Sequence, residues 1–332
     1  MYTDEDLSHG VEQGIFSESS VRDFRALMAN LKNTDSVDEE NFRLIGGFND
    51  IFIVIACSLL LFSLRWVVDL FSSSLAMLVF AAAAWGLAEH FVTKRKMALP
   101  AIALLLYFVG GVFGLVLAVS MPVLGDEARF APVLASAVTA VAAYVHWRRF
   151  QVPITVAAAC VAGLGLAIST LLSIVPDAVN FMMGIMFVGG ASVFAFAMQW
   201  DSSDLQRTTR RSDVAFWLHL LSAPLMIHPV FSSLGILEGS DSLVNMLVVV
   251  ALYLVMTTLS LAVDRRAFMV SSLVYVIYAV SSLVEKFGGV GYSFAVTGVV
   301  MGGALLLLSA YWHSARQGIV SRLPAVIQTK LP

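Results

Sequence analysis

Ten apolar stretches, most of them about twenty residues long, dominate this chain and leave it few folds to adopt. They run over residues 48–67, 73–92, 98–120, 130–147, 152–174, 178–199, 212–235, 243–263, 267–285 and 291–312. About twenty apolar residues in a helix cross the hydrocarbon core of a bilayer. In lipid, each backbone N–H and C=O must find its partner within the structure, which favours helices. The expectation is therefore an all-α, polytopic membrane bundle of about ten transmembrane helices. Composition agrees: 59% of residues are apolar, 13% are charged and mean hydropathy is +0.85. A soluble domain is roughly half apolar and a quarter charged. The net charge of −3 implies no surface for nucleic acid.

Orientation follows from the basic residues, which accumulate in cytoplasmic connections. Seventeen of the twenty Lys and Arg fall before the first span, in every second connection, or after the last span. Lys94-Arg95-Lys96, Arg148-Arg149, Arg207 with Arg210-Arg211, and Arg265-Arg266 mark those connections. Only Arg65, Arg129 and Lys286 lie on the other side. Ten spans with N- and C-termini both cytoplasmic satisfy this alternation. Gly110/Gly114 and Gly298/Gly302 make two GxxxG spacings, which allow close helix packing where lipid removes the hydrophobic drive. Cys57 and Cys160 each lie in an apolar run and read as small core residues.

Three regions are expected. Residues 1–45 form a polar, cytoplasmic helical hairpin with an acidic linker. Asp4, Glu5 and Asp6 suit the first turn of a helix that Gly14 ends. Ser17-Glu18 opens a second, amphipathic helix through Val21, Phe24, Leu27, Met28 and Leu31. Residues 46–314 hold the ten spans, and 315–332 form a cytoplasmic tail.

Chemistry is sparse, and it concentrates in the seventh span, SDVAFWLHLLSAPLMIHPVFSSLG. Ionisable groups in a span are costly and mark functional candidates, while Pro224 and Pro229 each remove a helical donor and predict a broken helix. Ser212 reads as its N-cap, with Asp213 in the first turn. At 100° per residue Asp213, Trp217, Leu220 and Pro224 share one face, with His228 near it, and His219 lies opposite. The candidates for a substrate pathway are Asp213, Trp217, His219 and His228, joined at span ends by Asn49, Asp50 and Glu89. Of the two histidines, His228 is the preferred pathway residue. As structural residues, each would instead bond a carbonyl released by a proline. No catalytic triad, phosphate loop, dinucleotide fingerprint or metal-ligand spacing occurs, so no cofactor or metal is expected.

The stretches LSHGVEQGIFSE, RLIGGFNDIF and SDVAFWLHLLSAPLMIHPVF, with the acidic linker, together resemble a group of uncharacterised bacterial multi-spanning membrane proteins. In that group a short helical hairpin precedes a run of hydrophobic helices. The resemblance implies a bacterial plasma (inner) membrane location and transfers no catalytic residue. Two readings of function stand side by side. One is transport or permeation of a small solute, with the proline-broken helix 212–235 in the pathway. The other is a non-catalytic scaffold or sensor that binds a cytosolic protein through its N-terminal hairpin. An enzyme acting on lipid is a weaker third.

Overall fold

Without water to satisfy its amides, an apolar run closes its own hydrogen bonds, and the spans of this chain do so as helices. The computed structural model describes residues 4–24, 48–205, 207, 209–235, 242–286, 291–328 and 331. Among the described residues every regular element is a helix and there is no strand. The chain divides into two compact units, Met1–Phe42 and Arg43–Pro332.

In the first unit, α1 (Asp4–Glu12) ends where Gly14 takes φ 69° and Ile15 N–H bonds the Gly10 carbonyl. A left-handed residue just past a helix is a common stop, and glycine adopts it without strain. Ser17 then accepts a hydrogen bond from Ser20 N–H at 3.1 Å and opens α2, described over residues 18–24. The hairpin expectation is met as far as residue 24; Leu27, Met28, Leu31 and the acidic linker lie outside the described residues.

The second unit contains α3 (Phe48–Asp69), α4 (Ser73–Ala88, extended by a π-helical stretch Glu89–Lys94), α5 (Ala98–Leu124), α6 (Ala131–Phe150) and α7 (Ile154–Ile174). There follow α8 (Met182–Ser202), α9 (Arg210–Ser232), α10 (Leu243–Val263), α11 (Ala267–Lys286), α12 (Ser293–Ala310), α13 (Trp312–Val320) and α14 (Ala325–Gln328). Among the described residues nine stretches are long and apolar enough to cross a membrane, and the longest, the 53 residues Ala98–Phe150, is α5 followed by α6. At about 1.5 Å per residue a straight helix of that length would reach roughly 80 Å, far beyond any bilayer. The chain instead turns at Gly125 (φ 51°), and α6 packs back against α5. The ten expected spans are therefore α3 to α12, and the protein is an integral membrane protein.

One helix organises the packing. Half of the span window of α9 is buried, the largest share of any span, against 11% for α3 at the rim. Val214 and Leu218 pack with Ala157, Val193 and Ala197, which ties α9 to α7 and α8. Further along α9, Ala223, Ile227 and Phe231 join a larger cluster with α10, α11, Met301 and Trp312. A separate cluster around Cys57, Leu61, Phe80 and Leu104 holds α3, α4 and α5 together.

Two expectations need correction. The proline break does not occur: α9 is continuous from Arg210 to Ser232 with Pro224 and Pro229 inside it. Each proline deletes a single backbone bond, and a helix held by α7, α8 and α11 keeps its path despite that loss. The glycine seams also differ from the sequence pattern. Gly111, not Gly110, meets α4: a Cβ there would sit 3.0 Å from both Ala81 Cβ and Phe80 Cδ1. Gly114 does make its expected contact, with Met77 Sδ 3.0 Å from its Cβ position, whereas Gly298 and Gly302 face open space. Between the membrane helices the tightest approach among the described glycines is at Gly190, whose Cβ would lie 2.8 Å from Leu225 Cβ and so brings α8 onto α9.

Candidate functional site

The densest polar chemistry gathers at one end of the bundle, where the α10–α11 turn meets α8, α9 and α13. The turn is Asp264-Arg265-Arg266. Asp264 ends α10 in the left-handed region (φ 60°), and Arg265 N–H bonds the Ser260 carbonyl at 2.9 Å. Asp tolerates that conformation better than most residues, and the tight turn directs its three charged side chains apart.

Arg265 is 3% exposed and reaches across to α8 and α9. Its Nη2 donates to Asp201 Oδ1 at 2.7 Å, to Ser212 Oγ at 3.1 Å and to the Ser212 carbonyl at 3.2 Å. Asp201, fully buried at the end of α8, accepts on its other oxygen from His219 Nε2 at 2.8 Å. A carboxylate can only accept, so this bond places the proton on Nε2. Among the described residues His219 Nδ1 then has no hydrogen-bond partner, although it is buried. The ring is enclosed by Phe194 and Phe268, at centroid distances of 5.4 and 6.4 Å. Burial of an ionised carboxylate demands a matched charge and filled lone pairs; Arg265 supplies the charge, and Arg265 and His219 the donors, while Ser212 accepts from Arg265 in turn.

Asp264 anchors a neighbouring set. It accepts from Trp312 Nε1 at 2.8 Å and from Arg207 Nη1 at 3.0 Å, with Arg316 Nε at 3.6 Å. Arg266 turns the other way and lies over the Trp312 ring, 5.0 Å from its centroid. Between α8 and α9, Asp204 accepts from Thr209 N–H (2.9 Å) and Thr209 Oγ1 (2.6 Å). Thr209 itself accepts from Arg211 N–H at 3.2 Å and is the N-cap of α9. This corrects the expectation for Ser212, which lies inside the helix and serves Arg265 instead.

The sequence candidates separate into different environments. The α9 face of Asp213, Trp217, Leu220, Pro224 and His228 is the partly or fully exposed one, and Leu220 is 39% exposed. His219, on the opposite side, is fully enclosed. His228 shares a 2.6 Å hydrogen bond with the Tyr275 hydroxyl of α11. The two histidines therefore serve different neighbours, as the helical spacing requires. The bonds found go to side chains rather than to carbonyls freed by proline. Glu89 makes a bidentate bridge to Arg149, 2.8 and 2.7 Å, joining the ends of α4 and α6. Asn49 is exposed and Asp50 buried in the first turn of α3. Among the described residues no three His, Cys, Asp or Glu side chains converge as a metal site would need.

A sizeable void lies elsewhere. A cleft of about 620 Å³ opens between α5, α6 and α7, lined almost wholly by apolar groups, among them Leu106, Gly110, Phe113, Val161 and Ile168. Ser136 and Ser169 are on its wall and Arg129 stands at one end. The Ser173 hydroxyl, also on the wall, bonds the Arg129 carbonyl at 2.9 Å and fixes the approach of α7 to α6. Volumes of about 300–1,000 Å³ with apolar walls and few polar groups are the usual form of small-molecule sites.

Sequence reasoning missed Asp201, Arg265, Asp264 and this cleft. One signal was available for the first three: opposite charges stand at the ends of spans that an up-and-down topology brings to the same side. Comparison with known proteins adds nothing to the geometry: no family model, curated protein or solved structure matches the chain.

Proposed function

We propose that this integral membrane protein transports or admits a small, mostly apolar solute, which occupies the cleft between α5, α6 and α7. The observation that carries the reading is that cleft: about 620 Å³ of apolar-walled space within three membrane helices. Helix α9 is then the fixed spine against which the other helices pack, and the Asp201–His219–Arg265 cluster is its lock. This moves the pathway away from helix 212–235, whose ionisable face is exposed and whose enclosed histidine is already bonded. A bacterial plasma-membrane location with both termini cytoplasmic belongs to the same proposal, and rests on the basic-residue bias and the resemblance described above.

Photolabelling in proteoliposomes tests it. Benzophenone, a neutral apolar ketone that inserts into nearby C–H bonds, is expected to place adducts chiefly on the α5, α6 and α7 residues of the cleft. Adducts spread evenly over all lipid-facing helices would count against the proposal. A second reading, the partner-binding scaffold, is favoured by one feature: Met1–Phe42 forms a compact unit of its own. Capture of a cytosolic protein by that unit, with no ligand at the cleft, would support it.

A further inference from the structure

We propose that the groove between α11 and α12 is a binding site for an anionic phospholipid, with Arg266 holding the headgroup phosphate and the groove holding an acyl chain. The groove measures about 240 Å³ and is walled by Met269, Val270 and Leu273 of α11 and by Leu305, Leu308 and Trp312 of α12 and α13. Val270 is 58% exposed, so the groove opens to the bilayer along its side. Apolar walls facing lipid take up hydrocarbon, and the charge at the end of the groove then selects the headgroup.

That charge is a surplus cation. Of the guanidinium groups around the turn, Arg265 is matched by Asp201, and Arg207 and Arg316 share Asp264. Among the described residues Arg266 makes no ion pair, and its contact is the face of Trp312, 5.0 Å away. Trp312 is fixed in turn by its 2.8 Å bond to Asp264, so the ring holds the guanidinium at the groove's end. Arginine's planar fork matches phosphate oxygens two at a time. Basic pockets between membrane helices, at the leaflet that carries anionic lipid, recognise such headgroups. The same end of the bundle holds the basic connections between α8 and α9 and between α10 and α11, which the charge bias assigns to the cytoplasmic leaflet. A zwitterionic lipid offers the groove the same tail but cancels the charge that Arg266 would meet.

Native mass spectrometry of the full chain in detergent, titrated with dioleoylphosphatidylglycerol or dioleoylphosphatidylcholine, tests the site. The wild type should retain one phosphatidylglycerol in preference to phosphatidylcholine. Arg266→Gln should weaken phosphatidylglycerol roughly fivefold, as expected for one surface cation, and leave phosphatidylcholine unchanged. Arg266→Lys should keep much of the preference. Val270→Trp, which fills the groove from its open side, should weaken both lipids and keeps the test decisive if Arg266→Gln is poorly folded. Unchanged phosphatidylglycerol binding in either Arg266→Gln or Val270→Trp overturns the proposal. So does full displacement of the lipid by inorganic phosphate, which would mean that the groove contributes nothing.

Discussion

Neutralising Asp201 without changing its shape should be among the most damaging single substitutions in the membrane domain. Asp201→Asn removes the negative charge that faces Arg265 at 2.7 Å and His219 at 2.8 Å, all three side chains being at most 3% exposed. The isosteric change opens no cavity, so the loss is electrostatic. Breaking a buried pair from one side costs about 3–5 kcal/mol, because the other charge is left buried and uncompensated. His219→Phe removes a single bond to a charged group and should cost less, about 1.5–3 kcal/mol. Removing the cation as well should recover most of the loss, since replacing a whole buried pair by neutral groups is often close to neutral. The double variant Asp201→Asn/Arg265→Met is thus expected to be more stable than Asp201→Asn alone. Unfolding of purified protein in mixed micelles, titrated with a denaturing detergent, gives the four corners of this double-mutant cycle. A loss below about 1 kcal/mol for Asp201→Asn, or additive losses in the double variant, would refute the reasoning.

Further outcomes follow from the same packing. Gly190→Ala should destabilise by about 1–3 kcal/mol, because its Cβ would lie 2.8 Å from Leu225 and push α8 off α9; Gly302→Ala, facing open space, should be neutral or stabilising by up to about 1 kcal/mol in the same unfolding assay. His228→Phe and Tyr275→Phe should each cost about 1 kcal/mol, and the pair together little more than either alone, since they share one 2.6 Å bond. In a variant lacking Cys57 and Cys160, a cysteine at Lys94 should be shielded from an impermeant thiol reagent in intact cells and one at Asp126 should react. Labelling at Lys94 from outside would reverse the orientation.

The helices were legible because their signal is local: length and apolar content set each span, and the alternation of basic residues set their pairing. The polar lock was not. Asp201 and His219 are 18 residues apart and Arg265 is a further 46 residues along the chain, and nothing local in WDSSD or DRRAF states that they meet. The N-cap of α9 was misplaced because Arg210 and Arg211 resemble a solvated loop, yet they begin the helix behind Thr209. The predicted break at Pro224 and Pro229 overlooked neighbours that hold the helix on three sides. The preference for His228 rested on face geometry alone: helical spacing tells which residues share a face, and only packing tells which face is inside. Gly110 and Gly111 show the same limit, since a one-residue shift turns a contact toward α4 into open space.

The central claim is that the ligand cavity lies between α5, α6 and α7 while the polar groups of α9 serve structure. The most direct test is benzophenone labelling of the cleft, measured beside thermal stability, in Gly110→Phe and His219→Leu. A Cβ at Gly110 meets nothing within 4 Å and Gly110 lines the cleft, so a side chain placed there starts from open space on the cleft wall. The account predicts that Gly110→Phe loses cleft labelling at unchanged stability, and that His219→Leu loses stability with cleft labelling retained. Loss of labelling in His219→Leu with Gly110→Phe labelled like the wild type would contradict it.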